Sequence, residues 1–173
     1  MRTTIAWFLL IPLWACEQPP VSDLFDEAKE IGELGKKLKE VSGLVASRRN
    51  HGLLWAHNDS RNEAEVFLIG LNGEIKCSFE LRAVANRDWE DIAIGPGPTP
   101  DHYYLHVADI GDNEARYPLK YIYRFVEPVS TDEKKVRVKD FDTLIVRVPV
   151  GAQDTEAFAV DPQTGDWYLF SKR

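Results

Sequence analysis

Glu90 in Glu90-Asp91-Ile92-Ala93-Ile94 and Glu156 in Glu156-Ala157-Phe158-Ala159-Val160 stand at the same place in two look-alike segments, and Ser42-Gly43-Leu44-Val45-Ala46 is a third of the kind. After a turn-rich gap each is followed by an aromatic run: Leu54-Trp55-Ala56-His57-Asn58-Asp59, Tyr104-Leu105-His106-Val107-Ala108-Asp109, and Tyr168-Leu169-Phe170-Ser171. Two of these runs end in Asn58, Asp59 and Asp109, and Asp112 with Asn113 follows within one Gly-containing turn. Their oxygens are hard donors of the sort Ca²⁺ gathers, about six to eight at a time. If the repeats bring their acidic ends together, Glu90, Glu156, Asn58, Asp59, Asp109, Asp112 and Asn113 form a cation site. Such an ion polarises a phosphoryl or carbonyl oxygen, and Glu90 or Asp109 is placed to position water. The structural alternative is that Asp and Asn in these turns cap backbone N–H groups.

Other chemistry is thinly represented. His57 and His106 titrate in the right range for proton transfer, with a hydrogen-bonded strand histidine as the plainer reading. His51 and His102 fall in turns. No Gly-x-Ser-x-Gly elbow, His-Glu-x-x-His helix or Gly-x-x-x-x-Gly-Lys loop occurs, so Ser42 and Ser60 lack a nucleophile's context. Trp55, Trp89 and Trp167 read as rings filling the space between sheets. Cys77 alternates with Ile75 and Phe79 and reads as inert packing.

The elements that must position these residues are strands. Leu53-Leu54-Trp55, Val66-Phe67-Leu68-Ile69, Tyr121-Ile122-Tyr123-Arg124-Phe125 and Leu144-Ile145-Val146-Arg147-Val148 are short runs rich in β-branched and aromatic residues. Asn72-Gly73 between two such runs is a strong hairpin signal. Asp161 to Asp166 and Gly95 to Asp101 carry turn residues, and Ser130 to Lys139 reads as a solvated hairpin tip. The three look-alike segments recur 48 and then 66 residues apart, the spacing of one four-stranded propeller blade each. Before them, Leu24, Ala28, Ile31, Leu34 and Leu38 have helical spacing, but Gly32 and Gly35 limit this to a short, marginal helix.

Composition narrows the partners. The 173 residues include 21 Lys plus Arg against 28 Asp plus Glu, a formal net charge of −7, which removes the electrostatic basis for nucleic-acid binding. Two cysteines support neither a disulfide framework nor a four-cysteine zinc site. The apolar stretch from Ile5 to Ala15 is too short to span a membrane and reads as a signal peptide over residues 1–15.

Several of these motifs carry a resemblance. Leu13-Trp14-Ala15-Cys16 resembles a bacterial lipobox, which implies that Cys16 is lipidated, and Glu17 after it suits an outer-membrane destination. Residues 16–40 are then a lipid-anchored tether and entry segment. Val41-Ser42-Gly43-Leu44-Val45-Ala46-Ser47, Asn58-Asp59-Ser60, Arg87-Asp88-Trp89-Glu90-Asp91-Ile92-Ala93, Asp109-Ile110-Gly111-Asp112-Asn113 and Asp154-Thr155-Glu156-Ala157 resemble a family of exported bacterial propellers, similar to six-bladed TolB-like and calcium-dependent phosphotriesterase or lactonase propellers. The resemblance implies an all-β partial β-propeller over residues 41–173, about two and a half four-stranded blades of a six-bladed ring. It also implies Ca²⁺ at the channel.

The reading for function is an exported, lipid-anchored module of the bacterial envelope, outer membrane or periplasm, that binds a small-molecule or protein ligand. The alternative is a Ca²⁺-dependent hydrolase of phosphoesters or lactones. Open blades expose apolar sheet and an unpaired edge, so the sequence reads either as a truncated frame or as a chain that associates with further copies to complete a ring.

Overall fold

The computed structural model describes residues 27–172, so residues 1–15, read above as a signal peptide, Cys16 and Leu24 lie outside the described residues. Glu27–Glu30 has no regular structure, and Ile31 onward belongs to one unit built of strands. These are β1 (Val41–Ala46), β2 (Leu53–Asn58), β3 (Glu65–Gly70), β4 (Ile75–Leu81), β5 (Trp89–Gly95), β6 (Tyr104–Asp109), β7 (Leu119–Val126), β8 (Lys135–Val138), β9 (Asp142–Arg147), β10 (Thr155–Val160) and β11 (Trp167–Ser171). Among the described residues there is no helix, and none is long and apolar enough to cross a membrane.

The strands form three open sheets: β1-β2-β3-β4-β8, β5-β6-β7-β9, and the two-stranded β10-β11. β1-β2-β3-β4, β5-β6-β7 and β10-β11 each pair antiparallel in chain order, and β9 adds antiparallel to β7. The Asn72-Gly73 signal joins β3 to β4, with Gly73 at φ 81° where residues with a Cβ are strained. The Asp161 carboxylate accepts the amides of Gln163 and Thr164 in the turn between β10 and β11.

Side chains alternate between faces along a strand, and the middle sheet uses both faces. Trp89, Ile92, Leu105, Val107, Tyr123 and Phe125 pack on Trp55, Val66, Leu68, Cys77 and Phe79 of the first sheet. The opposite face, with Ala93, Ala108, Ile110 and Ile122, packs on Phe158 and Val160 of the third. A hairpin alone is marginal in water, so β10-β11 owes its order to this contact. Buried Phe and Val side chains contribute about 1.5–3 kcal/mol each. Cys77, Trp55 and Trp89 are fully buried, as their reading as packing expects, and Trp167 is half-buried against Phe158.

Two expectations are corrected. No helix forms over Ala28 to Leu38. From Ile31 to Leu38 the chain runs without helix or strand along the first sheet, where a Cβ at Gly32 would collide with the Asn72 backbone and where Leu38 is buried with Ala56, Phe67 and Ile69. Ser130 to Lys139 is not a solvated hairpin tip. Its second half is β8, which leaves the second sheet and pairs parallel with β4 of the first. Val136 and Val138 pack on the core, and the Lys135 ammonium lies 2.6, 3.3 and 3.1 Å from carboxylates of Glu63, Glu65 and Glu80.

Candidate functional site

The three leading strands of the sheets, β1, β5 and β10, lie side by side and run in the same direction. A Cβ at Gly43 on β1 would meet the His57 ring and the Ile92 amide on β5, and one at Gly95 on β5 would meet Val160 on β10. The Asp91 carboxylate on β5 accepts the Phe158 amide of β10 at 2.8 Å.

Each leading strand carries one irregularity at the same point. Pairing steps from Val41↔Asn58 to Gly43↔His57, from Trp89↔Asp109 to Asp91↔Ala108, and from Thr155↔Ser171 to Ala157↔Phe170. The residues passed over are Ser42, Glu90 and Glu156. A bulge of this kind bends the strand and re-aims the extra side chain. Here the three bulges converge. Ser42 Oγ lies 2.9 Å from the Glu90 carbonyl oxygen and 3.2 Å from Glu90 Oε2. Oxygens of Asp59, Asp88 and Glu90 all lie within 4.8 Å of one another, as do oxygens of Glu90, Asp154 and Glu156, so Glu90 is shared by two carboxylate triplets.

Carboxylates crowded this closely oppose one another's ionisation. Burial, together with Asp59, Glu156 and Asp88, pushes Glu90 up to about 8, while its bond from Ser42 pulls the other way. Asp88 is raised by burial and by Asp59 and Asp154. The ammonium of Lys172 stands 2.8 Å from Glu156 and 3.7 Å from Asp154, and these acids hold its pKa above the ordinary lysine value. At Gly111 a Cβ would collide with carboxylate oxygens of Asp88 and Glu90, so the backbone after β6 closes directly over them. Hard, negatively charged oxygens in this number suit a divalent cation such as Ca²⁺.

Of the residues singled out in the sequence, Glu90, Glu156 and Asp59 meet in this cluster. Asn58 is instead engaged with the Lys37 carbonyl and the Glu40 amide. Asp109 pairs with Arg87 at 3.2 Å and accepts the amides of Arg87 and Asp88, so it shapes the loop that delivers Asp88. Burial raises its pKa, against the pull of Arg87. Asp112 accepts the amides of Arg116 and Tyr117, each at 2.7 Å, and faces the buried Lys120 ammonium at 3.6 Å. Burial opposes ionisation there, but those amides and Lys120 outweigh it and hold the Asp112 carboxyl below its usual range. Asn113 lines an open cleft of about 360 Å³ together with Asp88, Ser60, Arg61 and Tyr117.

Asp88, Asp154 and Ser42 were missed as site residues. The signal was present: Asp88-Trp89-Glu90 and Asp154-Thr155-Glu156 repeat an acid two residues ahead of each bulged glutamate. His57 and His106 are both buried and held neutral. His57 makes a 3.0 Å contact with the Asn58 carbonyl and stands edge-on to Trp89. His106 has no hydrogen-bond partner on either ring nitrogen and is boxed by Phe158 and Trp167, and burial with the Arg124 charge lowers it to about 4.

Compared with protein-family models, curated proteins and solved structures, the chain matches none.

Proposed function

We propose that this chain is an exported β-propeller module, tethered to the bacterial envelope through a lipid on Cys16, that binds ligand through a Ca²⁺ site at the mouth of its channel. The observation that carries this reading is the threefold bulge, which delivers Ser42, Glu90 and Glu156 from the leading hairpins of three successive sheets to one place. Blades of one ring are related in this way: like strands lie side by side at the axis, with like residues at like heights. The third sheet, with two strands, corresponds to the first half of a blade. Asp59, Asp88, Glu90, Asp154 and Glu156 would hold the ion, and its charge would replace the proton that Glu90 otherwise keeps.

The test is a thermal melt with Ca²⁺ and with EDTA. A rise in melting temperature with Ca²⁺ that Glu90→Gln abolishes supports the reading. An unchanged melt in the unsubstituted chain overturns it.

A second reading, Ca²⁺-dependent hydrolysis of a phosphoester or lactone, is favoured by one observation. Asp88 belongs both to the carboxylate cluster and to the 360 Å³ cleft, which gives a substrate room beside the ligands. Bound Ca²⁺ would supply Lewis acidity, and the carboxylates would orient water. Turnover of phosphoester or lactone substrates that EDTA stops selects this reading over binding alone.

A further inference from the structure

The strands that bring the acids together at one end diverge into a different surface at the other. β1, β5 and β10 end at Ala46, Gly95 and Val160, and the residues just beyond them line one cavity of about 530 Å³. Ile94 contributes an apolar wall. Pro96 and Pro162 come from the loops after β5 and β10, Arg48 from the turn after β1, and Asp101 and Tyr103 from the loop before β6.

This cavity is held in shape by its frame. The amides of Arg48 and Arg49 donate to the carboxylate of Glu127 at 3.0 and 3.1 Å. Glu127 is fully buried and also accepts from Trp55 Nε1 at 2.9 Å and Ser47 Oγ at 2.6 Å. The Glu127 carboxylate is therefore held by four donors, and through it the backbone at Arg48 and Arg49 is fixed. On the far side, a Cβ at Gly165 would touch Pro96 at 3.3 Å, so the turn between β10 and β11 braces that proline. Asp101 holds a left-handed backbone at φ 61°.

The two adjacent arginines differ in employment. Arg49 donates to the Glu127 carbonyl at 2.7 Å. The guanidinium of Arg48 makes no hydrogen bond or ion pair among the described residues, although the chain as a whole is acidic. A free guanidinium is a fork for a carboxylate. Tyr103, half exposed, and the two prolines supply flat apolar walls for a ring. The volume lies inside the range of small-molecule sites, about 300–1,000 Å³, rather than that of a protein interface. The Asp101 carboxylate on the same rim disfavours a dianion.

We propose that this cavity is a second ligand site, independent of the carboxylate cluster, for a small monoanionic carboxylate carrying a planar or apolar ring. Arg48 takes the carboxylate, and Tyr103, Ile94 and the prolines take the ring.

Isothermal titration of the full chain with phenylacetate, indole-3-acetate and cyclohexanecarboxylate, each against its neutral amide, tests this. At least one acid binds saturably in the millimolar range or tighter, its amide binds more weakly, and binding is the same in Ca²⁺ and in EDTA. Arg48→Ala weakens binding roughly tenfold or more, the loss expected for a charge-assisted hydrogen bond, whereas Arg82→Ala leaves it unchanged. Asp101→Asn, which tolerates the same backbone, tightens it. The proposal is overturned if none of the three acids binds saturably, if Arg48→Ala and Asp101→Asn both leave binding unchanged, or if Arg82→Ala weakens it equally. Dependence on Ca²⁺ assigns the ligand to the acidic mouth and also overturns it.

Discussion

Ser42 Oγ reaches both the carbonyl and the carboxylate of Glu90, at 2.9 and 3.2 Å, so the bulge of one sheet is fastened to the bulge of the next. Glu90 keeps its proton up to about pH 8 in the folded chain. Between the ordinary carboxylate value and about 8, the folded state holds a proton that the unfolded state has released, so Glu90 lowers stability progressively as pH rises through that window. In EDTA the melting temperature should fall across it. Ca²⁺ should reverse the fall, with affinity increasing toward pH 8, and Glu90→Gln should flatten both curves. Melts on a pH series with and without Ca²⁺ decide this.

Asp112 and Asp154 lie close together but should answer differently to the same change. Asp112→Asn leaves the buried Lys120 ammonium without its counter-ion and should cost about 3–5 kcal/mol in denaturant unfolding. Asp154→Asn removes one oxygen donor from the cluster and should chiefly shrink the Ca²⁺-induced melting shift. If Asp112→Asn keeps full stability and loses the Ca²⁺ shift, Asp112 is a ligand and not a brace.

His106 should set an acid limit on stability. Its folded value of about 4 lies below the ordinary 6.5, so the unfolded chain takes up a proton that the folded chain refuses. Stability from this group is full above 6.5 and is lost as pH falls toward about 4. His106→Leu, which places an apolar side chain among Phe158 and Trp167, should remove that slope and leave or raise stability at neutral pH. Urea midpoints at pH 5 and 7 measure it.

Cys16 should decide location. In a lipoprotein-processing host, Cys16→Ser should move the chain from the membrane fraction to the soluble one, read by fractionation and by mass spectrometry of the N-terminal peptide. Retention of Cys16→Ser in the membrane fraction would refute the lipid anchor.

Much of the strand order was legible because its signals are local. Asn72-Gly73 and the Asp161 to Asp166 turn act within a few residues, and the look-alike segments lie on β1, β5 and β10. What was illegible depends on distance. Lys135-Val136-Arg137-Val138 alternates like an edge strand, but nothing within it says that its partner is β4 and not a neighbour in the chain. Nor could composition separate a clustered carboxylate from a cap: Asp59 and Asp112 are the same residue type beside similar turns, and only the position of the Arg116 and Tyr117 amides gives Asp112 its occupation. The bulges, which sort Glu90 and Glu156 from the other acids, appear only once register is known.

The parallel seam between β8 and β4 changes how the molecule comes apart. A stack of self-contained sheets would shed its members singly, each with its own softening temperature. Here a stretch of chain that leaves the middle layer is sewn into the edge of the first before it returns. Neither layer can peel away without ripping that stitch, so the two should melt as one event, with the β10-β11 hairpin, which has no such stitch among the described residues, fraying ahead of them.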